Sequence, residues 1–173
     1  FALRGWRVTV IDATHGHTST HQQHAAAALT PMVARDDNIR ARLSRAGSLR
    51  AQSRWGSMPD SVFLTCGAIQ LQRDQGRIVD LASALEALAF PPQWVRNVNA
   101  EQASELAGMR LTRGGIYFPT AARVQPQGLL DILAQTAGID MLSAEVARIS
   151  TVSGSWRALD FSGKVLASAP YVV

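Results

Sequence analysis

The side chains best suited to chemistry lie close together near the beginning of the sequence. Asp12 ends the apolar segment Trp6–Asp12, and all four histidines of the chain follow it, at positions 15, 17, 21 and 24. Imidazole is a common zinc ligand, but this spacing matches no established zinc motif, and no nearby cysteine or second carboxylate completes a ligand set. We therefore expect no metal site and interpret residues 14–24 as a polar loop that lines a cofactor or faces solvent.

Asp12 has two interpretations. In a dinucleotide-binding fold, the acid that ends the second strand accepts hydrogen bonds from the adenosine ribose, while a Gly-rich turn after the first strand grips the pyrophosphate. Here the acid is present and the Gly-rich turn is not. Either the chain begins just after that turn, with residues 1–5 as the end of a helix, or Asp12 is an ordinary acid at the end of a strand.

Several enzyme classes find no support in the motifs. The sequence has no P-loop, no Gly-x-Ser-x-Gly turn and no paired-carboxylate motif, so kinase, serine hydrolase and glycosidase activities are not indicated. Cys66 is the single cysteine, which excludes an internal disulfide and fits a reducing compartment. It stands beside Gly67 in an apolar segment without a local histidine, so we expect a buried, unreactive thiol.

Composition predicts a protein with a hydrophobic core and a basic surface. The 173 residues are 47% hydrophobic, yet no apolar run approaches the roughly 20 residues that span a bilayer. No signal peptide is recognisable, and we expect a cytoplasmic protein without a membrane segment. The net charge of +4 comes from an arginine excess, which suits a phosphate-rich partner such as tRNA or reflects a genome that favours arginine codons.

The elements that must position these residues follow from periodicity and turn signals. Trp6–Asp12 is predicted to be a buried parallel strand, and the alanine run from Ala25 a short helix ended by Pro31. An amphipathic helix is predicted over Asp36–Trp55, capped by Asp36, with one apolar face. That face contains Ile39, Leu43, Ala46 and Leu49.

The rest of the chain alternates strands and helices. Val62–Arg73 is predicted to be one strand with a bulge or close approach at Gly67, and Asn99 with Gln102 predicts an N-terminal helix cap. Further strands are predicted at 95–98, 116–118, 145–149, 155–161 and 165–173, and further helices at 78–89 and 125–137. This order predicts a mixed α/β fold with two interleaved lobes and a late antiparallel meander.

Several stretches resemble one family. They are Gly5–Asp12, Ala25–Pro31 with Arg35–Asp37, Thr65–Leu71, Gly114–Pro119, Val124–Pro126 with the helix at 128–137, Glu145–Val146 and Tyr171–Val173. Together they resemble the FAD-dependent oxidoreductases related to D-amino-acid and glycine oxidases, and in particular the oxidase half of bifunctional enzymes that modify the wobble uridine of tRNA. Two departures are that the family's Gly-x-Gly-x-x-Gly turn is absent and that Thr20-His21-Gln22 replaces its Gly-Ala-Ser. The family's final Ala-x-Gly turn is absent too.

The resemblance implies an architecture. Residues 1–60 would form a partial, Rossmann-like FAD-binding lobe without the Gly-rich turn. Residues 61–124 would form a segment of an antiparallel-sheet substrate lobe, and residues 125–173 would return to the FAD-binding lobe with a β-meander. Because much of the pyrophosphate cradle would be missing, we expect this piece alone to bind FAD weakly or not at all.

The resemblance also implies an activity. FAD would oxidise a secondary amine to an imine that hydrolyses, which would remove the carboxymethyl group from the modified wobble uridine of tRNA. A methyltransferase domain fused upstream would then act on the product. Asp12 would hold the ribose and the Val146 backbone would meet adenine. The residues expected near the flavin are Gln22, Gln23, His24, Ala26 and Ala27. The candidates for the substrate side are Gln70, Tyr117 and Arg123, each of which has a packing or surface role as its alternative.

Two other functions remain open. A small-molecule amino-acid oxidase or dehydrogenase of the same family would share the fold and the cofactor. A non-catalytic RNA-binding module is suggested by the arginines of the helix at 36–55, which could equally be a solvated face.

Overall fold

The structure, a computed structural model, describes residues 1–14, 24–73 and 81–173. A short 3₁₀ helix spans Ala2–Arg4, and the α-helices in these ranges are α1 Ile39–Trp55, α2 Leu81–Leu88, α3 Ala100–Ala107 and α4 Pro126–Ala134. The strands are β1 Val8–Ile11, β2 Ala27–Leu29, β3 Phe63–Thr65, β4 Ala68–Leu71, β5 Arg96–Val98, β6 Gly115–Phe118, β7 Ala122–Val124, β8 Ile139–Leu142, β9 Arg148–Val152, β10 Ser155–Leu159 and β11 Val165–Ala169. The predicted mixed α/β class is confirmed.

Contacts divide the chain into two compact units. The first consists of Phe1–Ala25 and Pro126–Val173, and the second of Ala26–Gln125. The chain therefore leaves the first unit and returns to it, as the interleaved fold class predicts. Residues 26–60, which the sequence assigned to the FAD-binding lobe, lie in the same unit as 61–124. Which residues bind FAD and which bind substrate stays a prediction.

The first unit contains a parallel pair, β1 and β8. Val8 lies opposite Ile139 and Ile11 opposite Leu142. The predicted strand ending at Asp12 is thus present, whereas β8 was not predicted. Gly138, whose φ is 85°, turns the chain into β8, and its carbonyl accepts a hydrogen bond from the Val8 amide at 2.8 Å. A left-handed φ of this kind favours glycine.

The predicted meander is confirmed as the antiparallel sheet β9–β10–β11. Asp160 organises the turn between its last two strands, because Oδ1 accepts hydrogen bonds from the Ser162 hydroxyl at 2.6 Å, the Ser162 amide at 2.9 Å and the Lys164 amide at 3.0 Å. The Ser162 hydroxyl, followed by these amides and the Lys164 charge, lowers the pKa of Asp160 below its ordinary 3.8. The ionised carboxylate therefore favours the folded turn.

The second unit contains two three-stranded sheets, β2–β7–β3 and β4–β6–β5. Its core is centred on the fully buried side chains of Ile116 and Phe118 in β6, which pack with residues of α2. The prediction of one strand over Val62–Arg73 is wrong. The chain breaks at Cys66 and Gly67, whose φ is 73°, and β3 and β4 join different sheets.

The alanine run is a strand, so the predicted helix there is wrong. Ala27–Leu29 pairs antiparallel with Ala122–Val124 in β7. Alanine favours helices, but a helix confined between Ala25 and Pro31 is too short to offset the cost of its first turn. The neighbouring strand β7 forms hydrogen bonds with the backbone of this segment instead.

Helix α1 forms as predicted but with a different cap and a different buried face. Its N-cap is Asn38, whose Oδ1 accepts a hydrogen bond from the Ala41 amide at 3.1 Å, and Asp36 contacts the Asn38 side chain instead. The residues that α1 buries are Ala41, Ser48 and Ala51. The predicted apolar face points outward, with Ile39 and Leu43 each 64% exposed. In α3, by contrast, the predicted capping box of Asn99 and Gln102 is confirmed.

Candidate functional site

Asp12 follows the last residue of β1, at the carboxyl end of the parallel pair. Its amide donates to the Leu142 carbonyl at 3.0 Å, which extends the pairing by one bond. Its Oδ1 accepts hydrogen bonds from the amide and from the hydroxyl of Thr14, both at 2.8 Å. The carboxylate is therefore held in a local turn, half-buried, at the edge of the sheet where ligands bind in open α/β folds.

The residues predicted near the flavin either lie outside the described residues or are exposed. Gln22 and Gln23 lie outside the described residues. His24, Ala26 and Ala27 are exposed, and Ala27 is the first residue of β2. Their roles toward a cofactor stay predictions.

Val146 lies in the segment between β8 and β9. It is half-buried, and the next amide, that of Ala147, donates to the Leu159 carbonyl at 2.8 Å. This bond fixes the backbone next to Val146, in the same unit as Asp12. Contact with adenine stays a prediction.

The three residues predicted on the substrate side do not form one cluster. Tyr117 pairs with Ile69, whereas Gln70 pairs with Ile116, so Tyr117 and Gln70 occupy opposite faces of the sheet β4–β6–β5. Arg123 belongs to the other sheet, and its guanidinium donates to the Asp60 carbonyl at 2.7 Å. Only Tyr117 among the three lines the cleft described next.

A cleft of about 300 Å³ lies between β4, β6 and the end of α3. Its lining consists of Cys66, Gly67, Ala68, Ile69, Leu71, Leu106, Ala107, Leu111 and Tyr117. Apart from the Cys66 thiol and the Tyr117 hydroxyl, the lining side chains are apolar. The cleft is therefore suited to an apolar or aromatic group with one polar contact.

Gly67 and Arg96 fix the position of the Tyr117 ring. A Cβ atom on Gly67 would lie 2.7 Å from Cε2 of Tyr117, so only glycine allows this approach. The Arg96 guanidinium lies 4.8 Å from the centre of the same ring, within cation–π range. The close approach predicted at Gly67 is confirmed.

Cys66 differs from its prediction. The thiol is free and exposed rather than buried, because the residue lies in the break between β3 and β4. Sequence reasoning missed it as a cleft residue, together with Leu106 and Leu111. The glycine at position 67 was the signal available, since it marked the place where the backbone and an aromatic ring meet.

Within residues 1–14, 24–73 and 81–173, no group of three or more His, Cys, Asp or Glu side chains could hold a metal ion. Three of the four histidines lie outside these ranges. No helix in the described part is long and apolar enough to cross a bilayer.

Comparison with known proteins gives one family and a consistent group of relatives. A family model described as FAD dependent oxidoreductase matches residues 1–173. The tRNA 5-methylaminomethyl-2-thiouridine biosynthesis bifunctional protein MnmC of Cupriavidus metallidurans is 36% identical over 179 residues, which cover 99% of this chain and 27% of that protein. The proteins of the same name from Paraburkholderia phytofirmans and Burkholderia thailandensis are 34% and 33% identical, again over 99% of this chain. The chain thus spans 27–28% of the length of these relatives.

Proposed function

Because the chain belongs to the family of FAD-dependent oxidoreductases, we propose that it is part of an enzyme that oxidises a secondary amine of modified tRNA. The reaction removes the carboxymethyl group from 5-carboxymethylaminomethyl-2-thiouridine at the wobble position. The observation that carries this proposal is the 36% identity, over 99% of the chain, to a protein named for biosynthesis of 5-methylaminomethyl-2-thiouridine in tRNA.

Residues 1–60 and 125–173 are proposed to contribute the FAD-binding side, and residues 61–124 the substrate side. Support comes from Asp12, a carboxylate held at the carboxyl end of a parallel strand. A carboxylate there is a suitable acceptor for the two ribose hydroxyls of the adenosine moiety. Val146 would offer its backbone to adenine, and residues 22–27 would lie near the flavin. Bound FAD supplies the two-electron acceptor for the C–N oxidation.

On the substrate side, Tyr117 is the strongest of the three proposed residues. It lines the apolar cleft, and Gly67 and Arg96 hold its ring. The phenol can donate a hydrogen bond while the apolar side chains contact a bound group. Gln70 and Arg123 would act from other surfaces, Arg123 as a clamp for the substrate carboxylate.

For the complete polypeptide we propose a cytoplasmic, multifunctional enzyme that acts on tRNA and also carries a methyltransferase activity. The relatives are named as bifunctional proteins, which supports this assignment.

The test uses the complete polypeptide, FAD and tRNA that carries the carboxymethylaminomethyl group. We expect anaerobic loss of the flavin's visible absorbance when this tRNA is added, and nucleoside mass spectrometry should show loss of the carboxymethyl group. Unmodified tRNA is the control. If glycine-like amines reduce the flavin and the modified tRNA does not, the tRNA assignment is wrong and a small-molecule oxidase is favoured.

The ribose role is tested by Asp12→Asn, with Asp140→Asn, at the exposed position of β8, as the matched control. Loss of a charge-assisted hydrogen bond costs about 1.5–3 kcal/mol, so the dissociation constant for FAD should rise about 10- to 100-fold. Asp140→Asn should bind FAD as the wild type does. Equal affinity of both variants would contradict the assignment of Asp12.

A further inference from the structure

Helix α1 packs against its unit through small and polar side chains. Ala41 is fully buried, and the Ser44 hydroxyl accepts a hydrogen bond from the Met32 amide at 3.0 Å. The Gln52 amide group donates to the Thr120 carbonyl at 2.5 Å. These contacts fix the rotation of α1 about its axis, and with it the residues that face outward.

The outward face is strongly basic. The helix contains five arginines and no acidic residue. Two of the arginines, Arg42 and Arg45, lie 3.8 Å and 2.6 Å from carboxylate oxygens of Asp37. Hydrogen bonding to Arg45, aided by the charges of both arginines, lowers the pKa of Asp37. Asp37 thus stays ionised and partly offsets these two charges.

The other three arginines, Arg40, Arg50 and Arg54, are exposed, and no ion pair joins them to a carboxylate of the described residues. They recur with Leu43 and Gly47 at alternating spacings of three and four residues, which places all five on one stripe of the helix. We call Arg40, Arg50 and Arg54 the arginine stripe. At about 1.5 Å per residue, the stripe extends about 21 Å along the helix axis.

Two features of the arginine stripe are unfavourable for the isolated helix, although Arg54, in the last turn, interacts favourably with the helix dipole. Arg40 lies in the first turn, where the helix dipole opposes a cation and no acidic residue compensates. Arg50 and Arg54 are four residues apart, a spacing at which like charges repel. A polyanion bound along the stripe would add an attraction to each arginine and so offset both unfavourable terms.

We propose that the arginine stripe of α1 binds the sugar–phosphate backbone of tRNA. Guanidinium groups pair with phosphate oxygens in a bidentate geometry, and the aliphatic stems of the arginines can cover the exposed Leu43 between them. The inference deepens the proposed function and rests on it, because it locates a surface that holds the tRNA. Contacts to phosphates carry no sequence information, so the stripe would position the RNA rather than select its sequence.

The experiment measures tRNA affinity of the complete polypeptide over a series of KCl concentrations. The test variant combines Arg40→Gln, Arg50→Gln and Arg54→Gln. The matched control removes the same charge from exposed arginines elsewhere, through Arg4→Gln, Arg110→Gln and Arg148→Gln. Each phosphate contact contributes about 0.7 to the slope of log affinity against log salt, so the test variant should lose about 2 units of slope. At about 0.1 M salt this corresponds to roughly a hundredfold weaker binding.

A second variant distinguishes the loss of charge from a loss of folded structure. Arg40→Lys, Arg50→Lys and Arg54→Lys together keep the charge and should keep the salt slope, and flavin content and circular dichroism report folding of all variants. If the glutamine variant and the scattered control have the same slope and affinity, the inference is overturned. It is also overturned if the glutamine variant keeps its tRNA affinity but changes the mass of the assembly in solution, since the face then packs against protein.

Parallel product analysis separates this inference from the proposed function. If the glutamine variant binds tRNA as tightly as the wild type and still removes the carboxymethyl group, the tRNA contact of the arginine stripe is wrong and the proposed function stands. A wild-type polypeptide that binds tRNA through the stripe but never converts the nucleoside would overturn the proposed function alone.

Discussion

Gly115 gives the sharpest test of the packing in the second unit. It lies in the central strand β6, paired with Leu71 on one side and Val98 on the other. A Cβ atom at position 115 would lie 2.9 Å from the Gln70 carbonyl carbon and from Leu71 Cα, and closer still to the Gln70 oxygen. These obstacles are backbone atoms, so no side-chain rotation can relieve the overlap and β4 must move.

The cost of Gly115→Ala follows from that movement. Overpacking costs about 1–3 kcal/mol, and the loss of one sheet hydrogen bond about 0.5–1.5 kcal/mol. We therefore expect the free energy of unfolding to fall by about 2–4 kcal/mol. Urea titration followed by tryptophan fluorescence measures this change, and Trp94 is a suitable reporter because its ring lies 6.2 Å from that of Phe118 in β6.

The matched control is Gly47→Ala in the middle of α1. No atom lies within 4 Å of the Cβ position there, so the same chemical change meets open space. Alanine is the better helix former, and we expect a gain of about 0.5–1 kcal/mol. The reasoning is refuted if Gly115→Ala changes the stability by less than about 0.5 kcal/mol, the range of a neutral surface substitution.

Two further predictions concern single side chains. Asn38→Ala should destabilise the protein by about 1 kcal/mol in thermal unfolding because a helix amide loses its cap, and Asp36→Ala should cost clearly less; the reverse order would contradict the cap assignment. Asp160 has a lowered pKa, so its stabilising effect is present above its ordinary 3.8 and is lost as pH falls through the folded value. Asp160→Asn should therefore be less stable than the wild type at neutral pH and should lose less stability on acidification, which unfolding curves over a pH series would show; equal pH dependence would contradict it.

Sequence patterns predicted the structure correctly where hydrogen bonds and turns between neighbouring residues determine it. The capping box of Asn99 and Gln102 and the hairpins of the meander follow from hydrogen bonds and turns between neighbouring residues, whereas Gly67 marked a close approach without revealing its distant partner Tyr117. The family resemblance, seen in scattered stretches, is confirmed by the match over residues 1–173.

Sequence patterns gave wrong predictions where the structure depends on contacts with residues far away in the chain. The apolar periodicity of α1 located the helix but not its buried face, because small residues allow α1 to approach its neighbours closely while Ile39 and Leu43 stay exposed. The alanine run became a strand because β7, nearly a hundred residues later, pairs with it. Propensity is a weak guide in both cases because tertiary contacts override it.

The candidate site shows the same division. The position of Asp12 at the end of a strand could be predicted, because the apolar run and its terminal acid are adjacent in sequence. The separation of Gln70 from Tyr117 could not, since it depends on strand register, and a shift of one residue moves a side chain to the opposite face.

The pairing of β1 with β8 has a consequence for biosynthesis. Val8 leaves the ribosome well before its partner Ile139, which is made only after the whole of Ala26–Gln125. The nascent β1 therefore waits as an unpaired apolar strand while the intervening unit can already collapse, since domains fold as units during synthesis. Slowing translation before residue 139 should prolong this vulnerable interval and increase dependence on chaperones.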